Sequence, residues 1–205
     1  MLFDIHVHSK FSDGIASPKE IIDYARKIGL SGIAITDHDT IEGSLDALKY
    51  ATPDFIVVPG MEVSSKEGHI LGLGITQNVP KGLFAKETVD RIHALGGLAI
   101  AAHPYDSWRS GVGDLILSVD FDAVEVANGH TLYNKKDVVS LCKKHGLTMV
   151  GGTDAHILAE VGSVSIECAG NPIDAIKSGQ VKIRSKTKAA LFYNHTMFLL
   201  KRKVR

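Results

Sequence analysis

Residues able to bind metal recur in this chain at the downstream ends of short apolar runs. His6 and His8 close "LFDIHV" and its next residue, with Asp13 a few positions on; Asp37 and His38 follow "SGIAIT"; Glu62 follows "DFIVVPG". His103 follows "GLAIAA", and Asp154 with His156 follows "LTMVGG". Imidazole nitrogens and carboxylate oxygens are donors that zinc, manganese and iron accept. His6 and His8, like Asp154 and His156, stand two residues apart, so on extended backbone both members of each pair project to one face. His69 differs, because it precedes its apolar run. A turn at "SKEG" would fold the 69–75 run back antiparallel to the 55–63 run and bring His69 beside Glu62.

Each piece has a bland reading when taken singly. "TDHDT" is a turn in which Asp37 or Asp39 satisfies backbone N–H groups. His93, His145 and His195 fall on helix-like stretches without acidic partners, and are read as surface or structural residues. Convergence of so many donors on strand ends is what points to a metal centre.

The elements that would position these residues are legible in outline. Eight β-rich runs, the six quoted or bounded above with "FDAVEVA" and "GSVSIEC", alternate with helix-like stretches. "SPKEIIDYARKIGL" has Ser17 as N-cap, Pro18 at the first helical position, Glu20 three after the cap and Gly29 near its end. "KETVDRIHALGG" and "NKKDVVSLCKKHGL" repeat the theme and close on glycine. This order implies a largely parallel sheet, and about seven units favour closure into a TIM-like α/β barrel, whose active site lies at the carboxyl ends of its strands. No GxGxxG or GxxxxGK[ST] follows any strand, which removes the usual support for a nucleotide-binding open sheet.

The 205 residues, 44% of them apolar, are expected to form one domain over 1–205, with a basic amphipathic helix at about 186–205 packed through "LFYNHTMFLL". Lys plus Arg and Asp plus Glu are 23 each, so no global field recruits nucleic acid, although a nucleic-acid partner stays open. Cys142 and Cys168 lack CxxC spacing and are expected to be buried thiols, consistent with a cytoplasmic protein. No apolar run is long enough to span a bilayer, and no signal-peptide order opens the chain.

Together, "DIHVHSKFSDG", "ITDHD", "GMEVS", "GHILG", "AHP" and "GTDAH" resemble the signatures of the PHP superfamily, named for polymerase and histidinol phosphatase, over about residues 1–165. The resemblance implies a distorted (β/α)7 barrel, two to three divalent ions (zinc, manganese or iron) and phosphomonoester hydrolysis. It also implies nine ligands: His6, His8, Glu62 and Asp154 for one ion, Glu62, His69 and His103 for a second, and Asp13, His38 and His156 for a third. Those six histidines and three carboxylates leave three divalent ions with a positive excess suited to a phosphate dianion, with a metal-activated hydroxide as nucleophile.

The remaining roles stay open. Asp37, Asp39 and His130 are candidates to protonate the leaving group, with Asp37 alternatively orienting a ligand histidine. Arg109 reads as a phosphate clamp or a solvated loop residue; Tyr105 and Trp108 stack on a base or cover the barrel mouth. The expected partner is a small phosphorylated metabolite or nucleotide, with end-trimming of an oligonucleotide also open. An amidohydrolase would want a bridging lysine that "LAIAAHP" does not offer, and a non-catalytic module would be expected to lose ligands.

Overall fold

A computed structural model of the chain describes residues 1–131 and 136–186. Nine strands alternate with helices: β1 Leu2–Val7, α1 Pro18–Lys27, β2 Gly32–Ile35, α2 Glu42–Leu48, β3 Ile56–Ser64, β4 His69–Leu73 and α3 Ala85–Ala94. There follow β5 Leu98–Ala101, β6 Ala123–Asn128, α4 Val138–His145, β7 Met149–Gly152, β8 Val164–Glu167, α5 Pro172–Lys177 and β9 Lys182–Ser185. The capping of α1 is as expected: Ser17 accepts from the Glu20 N–H while the Glu20 carboxylate accepts from the Ser17 N–H. Its apolar stripe, Ile21, Ile22 and Ala25, is buried.

The strands form one sheet in the order β7-β6-β5-β4-β3-β2-β1-β8-β9. Its β7 end curls back onto β1 just past β7, where the His8 N–H donates to the Ala155 carbonyl (2.8 Å) and the Asp154 N–H to the His6 carbonyl (2.7 Å). The result is a nearly closed, distorted TIM-like barrel. Inside it, Phe3, Ile5, Ala34, Val58, Leu71, Ile100, Ala123, Val150 and Ile166 form one buried cluster. Eight strands contribute to that cluster, which only a curled sheet allows. Ile173, Ala175 and Ile176 of α5 pack against it, so an apolar plug fills the barrel.

The sheet is less parallel than the run order implies. β4 pairs antiparallel with both β3 and β5, and β8 pairs antiparallel with β1 and β9. The β3–β4 hairpin is the one foreseen at "SKEG", with Ser64 opposite His69. Helices α2 and α5 and strand β9 were not foreseen, each being too short to show a period. His93 also differs from expectation: its Nε2 lies 2.8 Å from Asp122, which also accepts the Ala99 N–H and so anchors α3 to the start of β5. His145 is the last residue of α4 and is exposed. His195 and the helix expected at 186–205 lie outside the described residues, apart from Lys186. Both cysteines are free and buried.

One buried acid ties the closure together. Asp4 accepts from Thr153 N–H (3.0 Å), from the Thr153 hydroxyl and from Gly162 N–H (2.8 Å), linking β1 to the segment between β7 and β8. Burial pushes its carboxyl up to about 6, against the pull of those hydrogen bonds. Asp4→Ala would leave two buried backbone donors unpaired, and is expected to lower unfolding free energy by about 2–4 kcal/mol in urea denaturation.

Candidate metal centre

Glu62, fully buried near the end of β3, is the hub on which the histidines meet. Its Oε2 lies 3.2 Å from His6 Nε2, 3.1 Å from His8 Nε2 and 3.4 Å from His38 Nδ1. Its Oε1 lies 3.0 Å from His69 Nδ1 and 3.2 Å from His103 Nε2. Around this hub, Asp154 Oδ1 sits 3.1 Å from His8 Nε2, and Asp13 Oδ2 sits 3.1 Å from His156 Nε2. All nine residues singled out as ligands are therefore in one connected constellation.

Several local devices aim them. β1 shifts register between Asp4 and Val7, and β6 between Glu125 and Ala127; bulges of this kind re-aim side chains next to active sites. The two shifts face one another, because His6 Nδ1 lies 3.0 Å from Glu125 Oε1. Gly152 makes room for that pair, since a Cβ there would meet His6 Cβ at 2.5 Å and Glu125 Oε1 at 2.8 Å. His103 and Asp154 adopt left-handed backbone, φ 31 and 60, which non-glycine residues adopt at a cost of order 1 kcal/mol.

Do these groups fit cations? A carboxylate only accepts, so the Glu125 contact fixes the proton of His6 on Nδ1 and turns the Nε2 lone pair toward Glu62 and Asp154. In the same way His156 Nδ1 donates to the Asp154 carbonyl at 2.8 Å, leaving Nε2 to face Asp13. Lone pairs facing carboxylates are repulsive unless a proton or a metal ion lies between. His8 Nε2 and Asp154 Oδ1 are 3.1 Å apart, yet both are buried without a hydrogen-bond partner, as are His8 Nδ1 and His103 Nδ1. Donors packed this closely without bonding one another suit a shared divalent ion.

Their positions fall into clusters that largely match the expected sets. His6, His8, Glu62 and Asp154 form one; His38, Glu62 and His69 another; His8, Asp13, His38 and His156 a third. His38 thus stands between two clusters, while His103 reaches the second through Glu62. Electrostatics agree with the geometry. Burial opposes ionisation, but His6, and Arg109 at Asp154, hold the Glu62 and Asp154 carboxyls well below the usual carboxylate range. Burial also works against a charged His8, yet Asp154 and Glu62 push its ring up to about 9.

The other candidates separate. Asp37 is buried away from the cluster and takes three bonds of 2.7 Å, from the Ser9 N–H, the Ser9 hydroxyl and the Ser12 hydroxyl, thereby shaping the loop that carries Asp13. Asp39 is likewise engaged by Ser64. Arg109 reaches inward, with Nη1 2.5 Å from Asp154 Oδ2 and 3.2 Å from Asn128 Oδ1. His130 is buried at the cluster's edge, its ring 5.3 Å from that of His156 and its Nε2 3.1 Å from Glu160 Oε1. Tyr105 is buried with its hydroxyl donating to Asp114, whereas Trp108 is 96% exposed.

Three residues outside the expected ligand set support it, of which Glu125 and Glu160 were missed in the sequence. Glu125 holds His6, the His103 N–H (2.9 Å) and the Asn128 amide (2.9 Å). Asn128 donates to Asp154 (3.1 Å), and Glu160 accepts the N–H groups of His156 and Ile157. An acid or amide inside an apolar run, as in "FDAVEVAN", was the available signal for Glu125 and Asn128.

The PHP domain family matches residues 4–107, and a family described as PHP-associated matches residues 133–181. An uncharacterised protein of Methanocaldococcus jannaschii is 39% identical over 142 residues, 63% of this chain and 83% of that protein. A 3′,5′-nucleoside bisphosphate phosphatase of Chromobacterium violaceum is 40% identical, over 78% of this chain and 88% of that enzyme. Among solved structures, a two-domain Bacteroides vulgatus protein containing a predicted PHP-like metal-dependent phosphoesterase superposes with a TM-score of 0.76 at 18% identity, covering 95% of this chain and 69% of that one. The chain belongs to the PHP domain family. Among the described residues no helix is long and apolar enough to cross a membrane.

Two outcomes follow from the centre's construction. Glu125→Gln, which weakens the hold on His6, is expected to reduce divalent-metal affinity about 10–100-fold in competition titrations, with Glu125→Asp recovering part of it. Metal loading should also expel protons. His8 is raised from 6.5 to about 9, so in protein stripped of metal its stabilising contribution is complete below pH 6.5 and is lost as pH rises toward 9. Calorimetry at pH 7.5 in buffers of different ionisation enthalpy should therefore register at least about one proton released per chain on adding Zn²⁺ or Mn²⁺.

Proposed function

We propose that this PHP-family phosphoesterase removes phosphate from a small nucleotide or similar phosphomonoester at a site of three divalent ions. The observation that carries this reading is Glu62, whose one carboxylate lies within 3.4 Å of five imidazole nitrogens. His6, His8, Glu62 and Asp154 would hold one ion, Glu62, His69 and His103 a second, and Asp13, His38 and His156 a third. Such ions supply Lewis acidity toward phosphoryl oxygens and lower the pKa of bound water. The Chromobacterium relative supports the substrate class, since its name specifies a nucleoside bisphosphate.

The chain's own groups divide the remaining work. Arg109 is the cation already aimed into the cluster, and its planar fork matches two phosphate oxygens. Asn128 receives Arg109 on its carbonyl and donates its amide to Asp154 and Glu125, so it fixes the guanidinium relative to the ligands. His130 stands at the edge of the cluster, with Glu160 holding its ring, and is assigned to protonate the departing oxygen. Asp37 and Asp39, committed to serines, are positioning residues for the loops that bear Asp13 and His38.

Elemental analysis of purified protein, paired with phosphate release from mononucleotides, nucleoside 3′,5′-bisphosphates, histidinol phosphate and p-nitrophenyl phosphate, tests the reading. Two to three ions per chain and a loss of about 100-fold or more in Asp154→Asn are expected; absence of stoichiometric metal would sink the site. His130→Gln is expected to lower kcat on nucleotides by about 10²-fold or more while sparing p-nitrophenyl phosphate, whose leaving group needs no proton. An equal loss on both would remove His130 from that role.

A further inference from the structure

Trp108 is the chain's single tryptophan, and it is 96% exposed, whereas the other exposed large apolar side chains among the described residues lie between 37% and 51%. An indole left in water is ordinarily the mark of a slack loop. This loop is built instead. Asp106 accepts the Trp108 N–H (3.2 Å) and the Thr131 hydroxyl (3.0 Å) on its carboxylate, and the N–H groups of Arg109 and Gly111 (3.1 Å each) on its carbonyl. Ser110 turns left-handed (φ 54), and its carbonyl accepts the His69 N–H at 2.8 Å. Gly111 lies directly on the His103–Pro104 backbone, where a Cβ would come within 2.4–2.6 Å. The turn is thus fastened to two of the candidate ligands.

On the single 3₁₀ turn Ser107–Arg109, adjacent residues point in opposite directions. Arg109 reaches in to Asp154 and Asn128, and Trp108 stands outside. Consecutive Cα atoms are about 3.8 Å apart, so the exposed indole leaves the backbone at the position next to the residue that reaches Asp154. Tyr105, the loop's other aromatic residue, is buried and committed to Asp114.

Resting on the phosphoesterase reading, we infer that Trp108 is the base platform of the site. It stacks the nucleobase of the substrate whose phosphate Arg109 holds, and so gives nucleotides preference over aliphatic phosphate esters. Aromatic faces stack any base, so the preference extends over all of them.

Because the chain has one tryptophan, its fluorescence reports on this residue without turnover. Titration of the full chain with AMP is expected to quench it saturably, whereas ribose 5-phosphate leaves it unchanged. In steady-state kinetics Trp108→Ala should raise KM for AMP about ten-fold with kcat within about two-fold, leave ribose 5-phosphate hydrolysis unchanged, and be largely rescued by Trp108→Phe. An unchanged KM for AMP in Trp108→Ala, or equal quenching by both ligands, would overturn the platform while leaving the phosphoesterase intact. If wild type hydrolyses neither ester, that reading fails by itself; saturable quenching by AMP alone then still supports the platform, and its absence overturns it.

Discussion

A carboxylate removed from water among five imidazoles is the constraint around which this barrel is arranged. Burying one unpaired charge costs several kcal/mol, and Glu62 is 1% exposed. Its compensation must come from positive charge brought to it, as protons on the rings or as cations between them. Protons and divalent ions are therefore alternative partners for the same atoms. That is why the rings of His6 and His8 are pushed up while Glu62 and Asp154 are held down.

Delivering five imidazoles to one carboxylate explains the departures from a regular barrel. A parallel strand presents its functional residue at its carboxyl end, whereas His69 begins its strand. It reaches Glu62 only because β4 runs backwards, paired antiparallel on both sides. The register shifts in β1 and β6 lie where His6 and Glu125 meet, and the left-handed turns fall on His103 and Asp154. Irregularity is concentrated where ligands must converge, and the apolar plug below keeps regular alternation.

This division also marks what could be read from sequence. Spacings of two, strand-end placement and the hairpin at "SKEG" involve neighbours along the chain, and they were legible. Glu125 was not, because its partner His6 lies 119 residues away. His93 was read as lacking an acidic partner for the same reason, Asp122 being 29 residues distant. Strand direction escaped too: an apolar run has the same composition in either direction, so β4 was placed only by its turn, and β8 and β9 by nothing local.

Charge segregation supplies the last step. The chain is balanced overall, with 23 residues of each sign, yet the buried residues are not. Asp4, Asp37, Glu62, Asp106, Glu125, Asp154 and Glu160 are all buried, while no lysine or arginine is buried among the described residues and Arg109 alone reaches the cluster. Asp4, Asp37 and Asp106 are met by N–H and hydroxyl donors, which stabilise charge without neutralising it. The acids at the barrel mouth are met mainly by imidazoles whose spare lone pairs point inward. An interior built this way balances only when further positive charge enters it, and the mouth of the barrel is where the candidate cation ligands stand.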